Sequence, residues 1–165
     1  MPGTTVVILA GGSGTRMRSA LPKLAHDLCG RPLLWWSVTA AATAFPGSPP
    51  VVVVPAGDGL RDLVPGHELA FAVQAQPRGT ADAVASAAEE IDRDATVIVL
   101  SGDVPLIEPE LLRALADAHA TSGAAATMVT VSLEDPSGYG RVLRDATGAF
   151  VRVVETKAPG DATAA

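Results

Sequence analysis

Thr5–Ala10 reads TVVILA, and Gly11-Gly12-Ser13-Gly14-Thr15-Arg16-Met17 follows it directly. A short, continuous β-branched run stopped by two glycines has the pattern of a strand buried on both faces, as strands are in parallel sheets. The glycines beyond it leave a loop without side chains, in which backbone N–H groups converge on phosphate oxygens. Strand and loop together predict an α/β sheet with a phosphate cradle at the carboxyl end of its first strand.

Spacing excludes the two common nucleotide loops. A Walker A loop requires GxxxxGK[ST], and no Gly-Lys pair follows Gly12; a dinucleotide fingerprint requires a third glycine where Met17 stands. What remains is G-x-G-T-R-M followed by Pro22-Lys23. Arg16 and Lys23 can reach one polyphosphate from both ends of the loop, Arg16 through a bidentate fork and Lys23 as a point charge. Both would help neutralise charge developing on a pyrophosphate leaving group. The alternative is a Gly-rich turn carrying two solvated cations.

Outward from the loop, strand and helix alternate. Arg31–Phe45 is long, apolar on most sides and opened by Pro32, which predicts a packed helix. Val51–Val54 and Leu69–Gln74 read as further strands, and Thr80–Ile91 as a helix capped by the Thr80 hydroxyl. Ala95–Ser101 is a strand running into Gly102-Asp103, and Pro109–Ala120 carries Leu111, Leu112, Leu115 and Ala118 at helical spacing. Ala125–Leu133 reads as another strand, and Arg141–Leu143 with Phe150–Glu155 as a hairpin around Arg144–Gly148. Alternation of this kind predicts an open, mostly parallel sheet with helices on both faces. Ligands in such sheets lie beyond the carboxyl ends of the strands.

Composition narrows the class. Of 165 residues, 48% are hydrophobic and 18% charged, which suits a globular chain and excludes a fibrous or disordered one. Twelve Lys+Arg against 18 Asp+Glu leave a net charge of −6, which speaks against nucleic acid or an anionic membrane as partner. A single cysteine, Cys29, makes no intramolecular disulfide, and no Cys/His cluster has zinc-ligand spacing. His26, His67 and His119 are scattered. With neither a signal-peptide pattern nor an apolar run long enough to span a bilayer, the expectation is a soluble, cytoplasmic protein. Cys29 and the paired Trp35-Trp36 are assigned to the core. Residues 1–157 are expected to form one domain, incomplete at its C-terminal end, with 158–165 a disordered tail.

Two further segments carry chemistry. Asp103 follows a buried strand in Ser101-Gly-Asp-Val-Pro105, where it would meet the ligand crevice and could hold Mg²⁺ bridging phosphates. A turn-former or helix cap fits equally well. In Gln74-Ala-Gln-Pro-Arg-Gly-Thr-Ala-Asp82, the Gln74 amide offers both a donor and an acceptor to a nucleobase edge, and Gly79-Thr80 opens a helix whose N-terminus favours anions. Taken alone, that segment reads as a polar loop and cap.

The ordered set LAGGSGTRMRSALPK, QAQPRGTADAV, SGDVPL, DPSGYGRV and VVETK resembles the sugar-1-phosphate nucleotidyltransferases, a branch of the Rossmann-like, GT-A-like α/β families. Within that branch it is most similar to the uridylyltransferase half of the bifunctional N-acetylglucosamine-1-phosphate uridylyltransferase/glucosamine-1-phosphate acetyltransferases. GYGR is the most specific piece. The Gly-rich loop and post-strand Asp are shared with molybdenum-cofactor guanylyltransferases and sugar thymidylyltransferases.

The resemblance implies a function for each matching position. Leu9, Ala10 and Gly12 would contact the nucleoside, with Gly14 and Thr15 completing the nucleotide loop. Arg16 and Lys23 would act on the phosphates as catalytic cations. Gln74 would read the base edge, Gly79-Thr80 would contact the nucleotide, and Asp103 would bind Mg²⁺. Gly140 and Glu155 would contact the sugar. The implied reaction joins UTP and N-acetylglucosamine 1-phosphate into UDP-N-acetylglucosamine and pyrophosphate, with peptidoglycan and cell-wall biogenesis as its setting.

The chain departs from the branch at Gly11, usually Ala, and at Arg78-Gly-Thr-Ala-Asp82, usually Leu-Gly-Thr-Gly-His. Both changes lean toward other nucleotidyltransferases, using dTTP, GTP or CTP. The family's domain also continues past Glu155 to sugar-contacting residues and a second metal ligand, so a nucleotide-binding fragment without catalysis is the remaining alternative. The acetyltransferase's hexapeptide repeats are absent from this sequence, and oligomeric state is not implied.

Overall fold

The computed structural model describes residues 3–12, 14, 17–57 and 59–154. Among the sites singled out above, Thr15, Arg16 and Glu155 lie outside the described residues, as do residues 158–165. The chain divides into two compact units, Met1–Thr127 and Met128–Ala165.

The first unit is built on a four-stranded, wholly parallel sheet. Its strands are β1 (Thr4–Leu9), β4 (Val51–Pro55), β5 (Ala70–Gln74) and β6 (Thr96–Ser101), in the spatial order β5-β4-β1-β6. β1 is central and aliphatic, with Val7 paired to Val51 on one side and to Val99 on the other. Two short strands, β2 (Asp27–Leu28) and β3 (Arg31–Pro32), form a small antiparallel pair before helix α1 (Leu33–Ala44). Helices α2 (Thr80–Ser86) and α3 (Pro109–Ser122) complete the layers.

Alternation along the strands sends residues to two cores. Val6, Ile8, Val52, Val54, Ile98 and Leu100 face Leu34, Val38 and Ala41 of α1 and Leu112 of α3. On the opposite face, Val7, Val51, Val53 and Ala72 meet Ala83 of α2 and Ala87. Small alanines let the short α2 lie close to the valine-rich sheet, where a larger residue would force it outward.

Chain order makes the site's position predictable. From β1 the chain proceeds outward to β4 and then β5, and after α2 it returns to the other flank of β1 as β6. The order therefore reverses between β1 and β6, and a crevice opens beyond the carboxyl ends of strands at such a switch point.

Several local expectations need correction. The α1 helix begins at Leu33 rather than Arg31, because Arg31 and Pro32 pair with Leu28 and Asp27 and Pro32 serves as the helix N-cap. Cys29 is exposed, with φ 55°, and Gly30 has φ 82°. These two residues form the tight turn between β2 and β3, so the thiol sits at a loop tip away from any core. Trp35 packs at the edge of the first core, whereas Trp36 donates its Nε1–H to the Leu28 carbonyl at 3.1 Å. The helix after Gly79 ends at Ser86 and continues only as a single 3-10 turn over Ala88–Glu90. Its N-cap is Gly79, so Thr80 is the first helical residue rather than the cap. Ala125–Leu133 forms no strand and is exposed throughout. Its alternation suits a ladder, but no described strand pairs with it, and an isolated extended run gains neither hydrogen bonds nor burial.

In the second unit, β7 (Arg141–Arg144) and β8 (Phe150–Val154) pair antiparallel, as the hairpin reading expects. Asp145 organises the turn: its Oδ1 accepts from Thr147 N at 2.8 Å, Thr147 Oγ1 at 2.6 Å and Ala149 N at 3.1 Å. These bonds hold its carboxyl below the usual carboxylate range, with the Thr147 hydroxyl the largest cause.

Candidate active site

The loop after β1 is held where the strands end. Ala10 N donates to the Val53 carbonyl at 2.8 Å, and the Leu9 carbonyl accepts from Gly102 N at 3.0 Å. The Leu9–Ala10 backbone is thereby stitched to β4 on one side and to the turn after β6 on the other. Ala10 is buried, and Gly12 is open, with room for a Cβ.

Two glycines set the separation between loops. A Cβ on Gly14 would lie 2.7 Å from Lys23 Cβ, and Gly14 has φ 58°, so only glycine fits without strain. Gly102 is packed closely as well, since a Cβ there would come to 3.0 Å from both the Leu9 carbonyl and Leu24 Cδ1. Leu24 is the buried residue of the 3-10 turn Lys23–Ala25, so one apolar anchor positions Lys23 beside the turn that carries Asp103.

Lys23 and Asp103 meet. The Lys23 ammonium donates to Asp103 Oδ2, and Ser101 Oγ donates to Oδ1 at 2.6 Å. The Lys23 bond first, and the Ser101 bond second, hold the Asp103 carboxyl below the usual range despite partial desolvation. From behind, the fully buried Ser37 donates its hydroxyl to the Gly102 carbonyl at 3.1 Å. Eighty residues apart in sequence, Lys23 and Asp103 thus stand together beyond the ends of β1 and β6, where the strand order reverses.

Gln74 closes the other end of the same edge. It ends β5, pairs in register with Pro55, and is buried. Its Nε2 donates to the Gly79 carbonyl at 3.2 Å and to Asp82 Oδ2 at 2.8 Å. A Cβ on Gly11 would stand 3.3 Å from Gln74 Oε1, so the glycine loop crosses the sheet edge as far as β5. Gly79 has φ 114° and ψ 179°, a conformation essentially reserved for glycine. Arg78 Nε lies 3.3 Å from Asp82 Oδ1, an exposed contact of little energetic weight.

The structure therefore brings together Leu9, Ala10, Gly12, Gly14, Lys23, Gln74, Gly79, Thr80 and Asp103 along one edge of the first unit. Gly140 lies in the second unit, immediately before β7. Ser37, Ser101, Gly102 and Asp82 were not anticipated as site residues. Their importance comes from partners distant in sequence or from side-chain bonds that no motif encodes.

As for metal chemistry, Asp103 supplies one ionised, oxygen-donor carboxylate, and no group of three His, Cys, Asp or Glu gathers among the described residues. That donor set does not suit zinc. It fits Mg²⁺, which keeps several waters and is held by one or two carboxylates together with substrate phosphates. Among the described residues no helix is long and apolar enough to cross a membrane.

Comparison with known proteins places the chain in a family. Residues 6–156 match the model of the MobA-like NTP transferase domain. The chain is 47% identical over 153 residues to the bifunctional protein GlmU of Geobacter metallireducens, and 46% identical over 152 residues to that of Ralstonia nicotianae. Each match covers 92% of this chain and about a third of the relative, 32% and 33% respectively. Among solved structures, Rv0371c of Mycobacterium tuberculosis superposes with a TM-score of 0.57 at 23% identity, covering 73% of this chain and 63% of that one. A nucleotidyl transferase from Methanothermobacter thermautotroptrophicus gives 0.60 at 22% identity, covering 70% and 57%. At those identities the likeness concerns the fold, an α/β sheet flanked by helices.

Proposed function

This chain belongs to the MobA-like NTP transferase domain family, and from that premise we propose that it transfers the uridylyl group of UTP to N-acetylglucosamine 1-phosphate, giving UDP-N-acetylglucosamine and pyrophosphate. The observation that carries the reading is the convergence of Lys23 and Asp103 beside a glycine loop at the sheet's switch point. The similarity to bifunctional GlmU proteins supports the choice of substrates.

The reaction needs no protein nucleophile. The sugar phosphate is ionised at neutral pH, and its oxygen attacks the α-phosphorus while pyrophosphate leaves. The chain's contribution is alignment and charge. Backbone N–H groups of the glycine loop receive the triphosphate, and Lys23 neutralises charge on the departing pyrophosphate, joined by Arg16 from the same loop. Asp103 is the residue that would hold Mg²⁺, and the ion would supply positive charge to offset that of the phosphates. The Lys23 ammonium carries three donors, so it can meet a phosphate oxygen while one donor stays on Asp103. Gly140 and Glu155 are assigned to the sugar.

The test is pyrophosphate release from each NTP with Mg²⁺, offering N-acetylglucosamine 1-phosphate or glucose 1-phosphate as acceptor. Release with UTP and the amino sugar, abolished by Asp103→Ala, is the expected result. A second reading, transfer from another NTP, is favoured by Gly11 and Asp82 and would appear as release with a different nucleotide. Binding of nucleotide without release would instead indicate a non-catalytic module.

A further inference from the structure

Ser37 is fully buried in α1, on a helix whose residues Leu34, Val38 and Ala41 fill the first core. A helical hydroxyl ordinarily returns its proton to the carbonyl four residues back, as Ser86 of α2 does to Asp82 and Thr121 of α3 to Asp117, each at 2.9 Å. The Ser37 proton leaves its helix instead. It goes to the Gly102 carbonyl at 3.1 Å, sixty-five residues away in sequence, with the Val104 carbonyl at 3.5 Å. Val104 already accepts from Ile107 N at 3.3 Å, so Gly102 is the carbonyl that depends on Ser37. A hydroxyl buried this deeply costs the core unless its bond is made. The turn it reaches, rather than the helix it sits on, accounts for a serine at this position.

That turn has a weak point immediately before Asp103. The Leu9 carbonyl and Leu24 leave no room for a Cβ at position 102, so glycine stands there, and glycine is the residue whose backbone is least restrained. Two bonds supply the restraint. Gly102 N donates to the Leu9 carbonyl at 3.0 Å, and Gly102 O accepts from Ser37. The two atoms belong to different planar peptide units, one on each side of the Gly102 Cα, so the bonds together hold both of its soft dihedrals. The direction in which the chain enters Asp103 is held with them. We infer that Ser37 is a positioning residue for Asp103: it acts through the peptide between residues 102 and 103 and keeps the carboxylate at the mouth of the crevice, where Ser101 Oγ then holds Oδ1 at 2.6 Å. The inference rests on the reading of Asp103 as the residue that would hold Mg²⁺ and extends that reading to a side chain inside the core.

Calorimetric binding of UTP without sugar phosphate, once with EDTA and once with saturating Mg²⁺, tests it. The quantity read is the factor by which Mg²⁺ tightens UTP, and Asp103→Asn should remove most of it. Ser37→Ala should lower the factor about tenfold, the scale of losing an outer partner of a metal ligand, while leaving UTP affinity in EDTA unchanged. Val38→Ala empties the next, equally buried position of α1 and should lower the thermal midpoint without changing the factor. In the Asp103→Asn background, Ser37→Ala should have no further effect, because its contribution passes through the carboxylate. An unchanged factor in Ser37→Ala, an equal loss with and without Mg²⁺, or the same loss in the Asp103→Asn background overturns the inference and leaves the role of Asp103 standing. A wild-type factor that Asp103→Asn does not reduce overturns the metal reading and this inference with it.

Discussion

Lys23 and Asp103 form an ion pair across the crevice between the ends of β1 and β6, with Ser101 taking the second carboxylate oxygen. Each is the other's counter-ion. Removing either leaves a partly buried charge without its partner at the position where phosphate and metal charge would be handled. Asp103→Asn is expected to lower pyrophosphate release by about 100-fold or more, the scale of losing one preorganised electrostatic group. Circular dichroism should show the fold retained.

The same pair predicts a titration. Asp103 is depressed chiefly by Lys23, so its folded-state midpoint lies below the ordinary 3.8. A depressed carboxyl adds stability above its unfolded value and loses it as pH falls through the folded one, so the contribution fades only below about pH 3.8. Lys23→Ala should move the Asp103 midpoint upward, read by carboxyl-carbon NMR. An unchanged midpoint would mean that Lys23 is not the dominant cause.

Gly14 tests the geometry of the loop. Alanine there would place its Cβ 2.7 Å from Lys23 Cβ at φ 58°. The strain is about 1–3 kcal/mol, and relief requires Lys23 to shift. Gly14→Ala should lower the thermal midpoint and weaken triphosphate binding, whereas Gly12→Ala, with open space around it, should do little to stability.

Gly102 should respond differently because its surroundings are core. A methyl group would press on Leu24 Cδ1 and the Leu9 carbonyl, both at 3.0 Å, and approach Leu34 Cδ1 at 3.4 Å. Gly102→Ala is expected to cost about 1–3 kcal/mol by overpacking, measured by denaturant unfolding. Leu34→Ala, emptying a fully buried position, should cost about 2–5 kcal/mol.

The β7–β8 turn offers a check away from the first unit. Asp145 accepts from Thr147 and Ala149, and its carboxyl sits below 3.8. Acidification below that value should loosen the turn, and Thr147→Val should raise the Asp145 midpoint by removing the largest contributor. Carboxyl-carbon NMR of the two chains compares them directly.

Much of this molecule is legible in the order of its residues. Runs such as TVVILA and VVVV are too aliphatic and too short for anything but buried parallel strands, whereas TVIVLS, read as buried for the same reason, forms the edge strand β6 and leaves Val97 and Val99 exposed because no described strand or helix covers that face. From alternation alone follow the α/β class and a site beyond the carboxyl ends. Local chemistry is legible where it depends on neighbours in sequence, as in the Asp145 turn. It fails where partners are distant, and Ala125–Leu133 shows why: alternation states that a segment can join a sheet, while pairing needs a second strand that the segment does not contain. Residue type alone places Cys29 in the core, yet it sits exposed at a turn tip, because the two-residue connection between β2 and β3 sets its backbone at φ 55°.

Local sterics and side-chain chemistry specify an inventory of parts that can be read residue by residue: strands, helices, a glycine loop, two cations and an acidic turn. Which of these parts meet depends on the folded chain. Lys23 and Asp103 are joined because β6 returns to the flank of β1, and the Gln74 amide nitrogen is held because α2 brings Asp82 and the Gly79 carbonyl to the end of β5. Hydrogen bonds act over about 3 Å, and folding alone brings residues eighty positions apart within that distance.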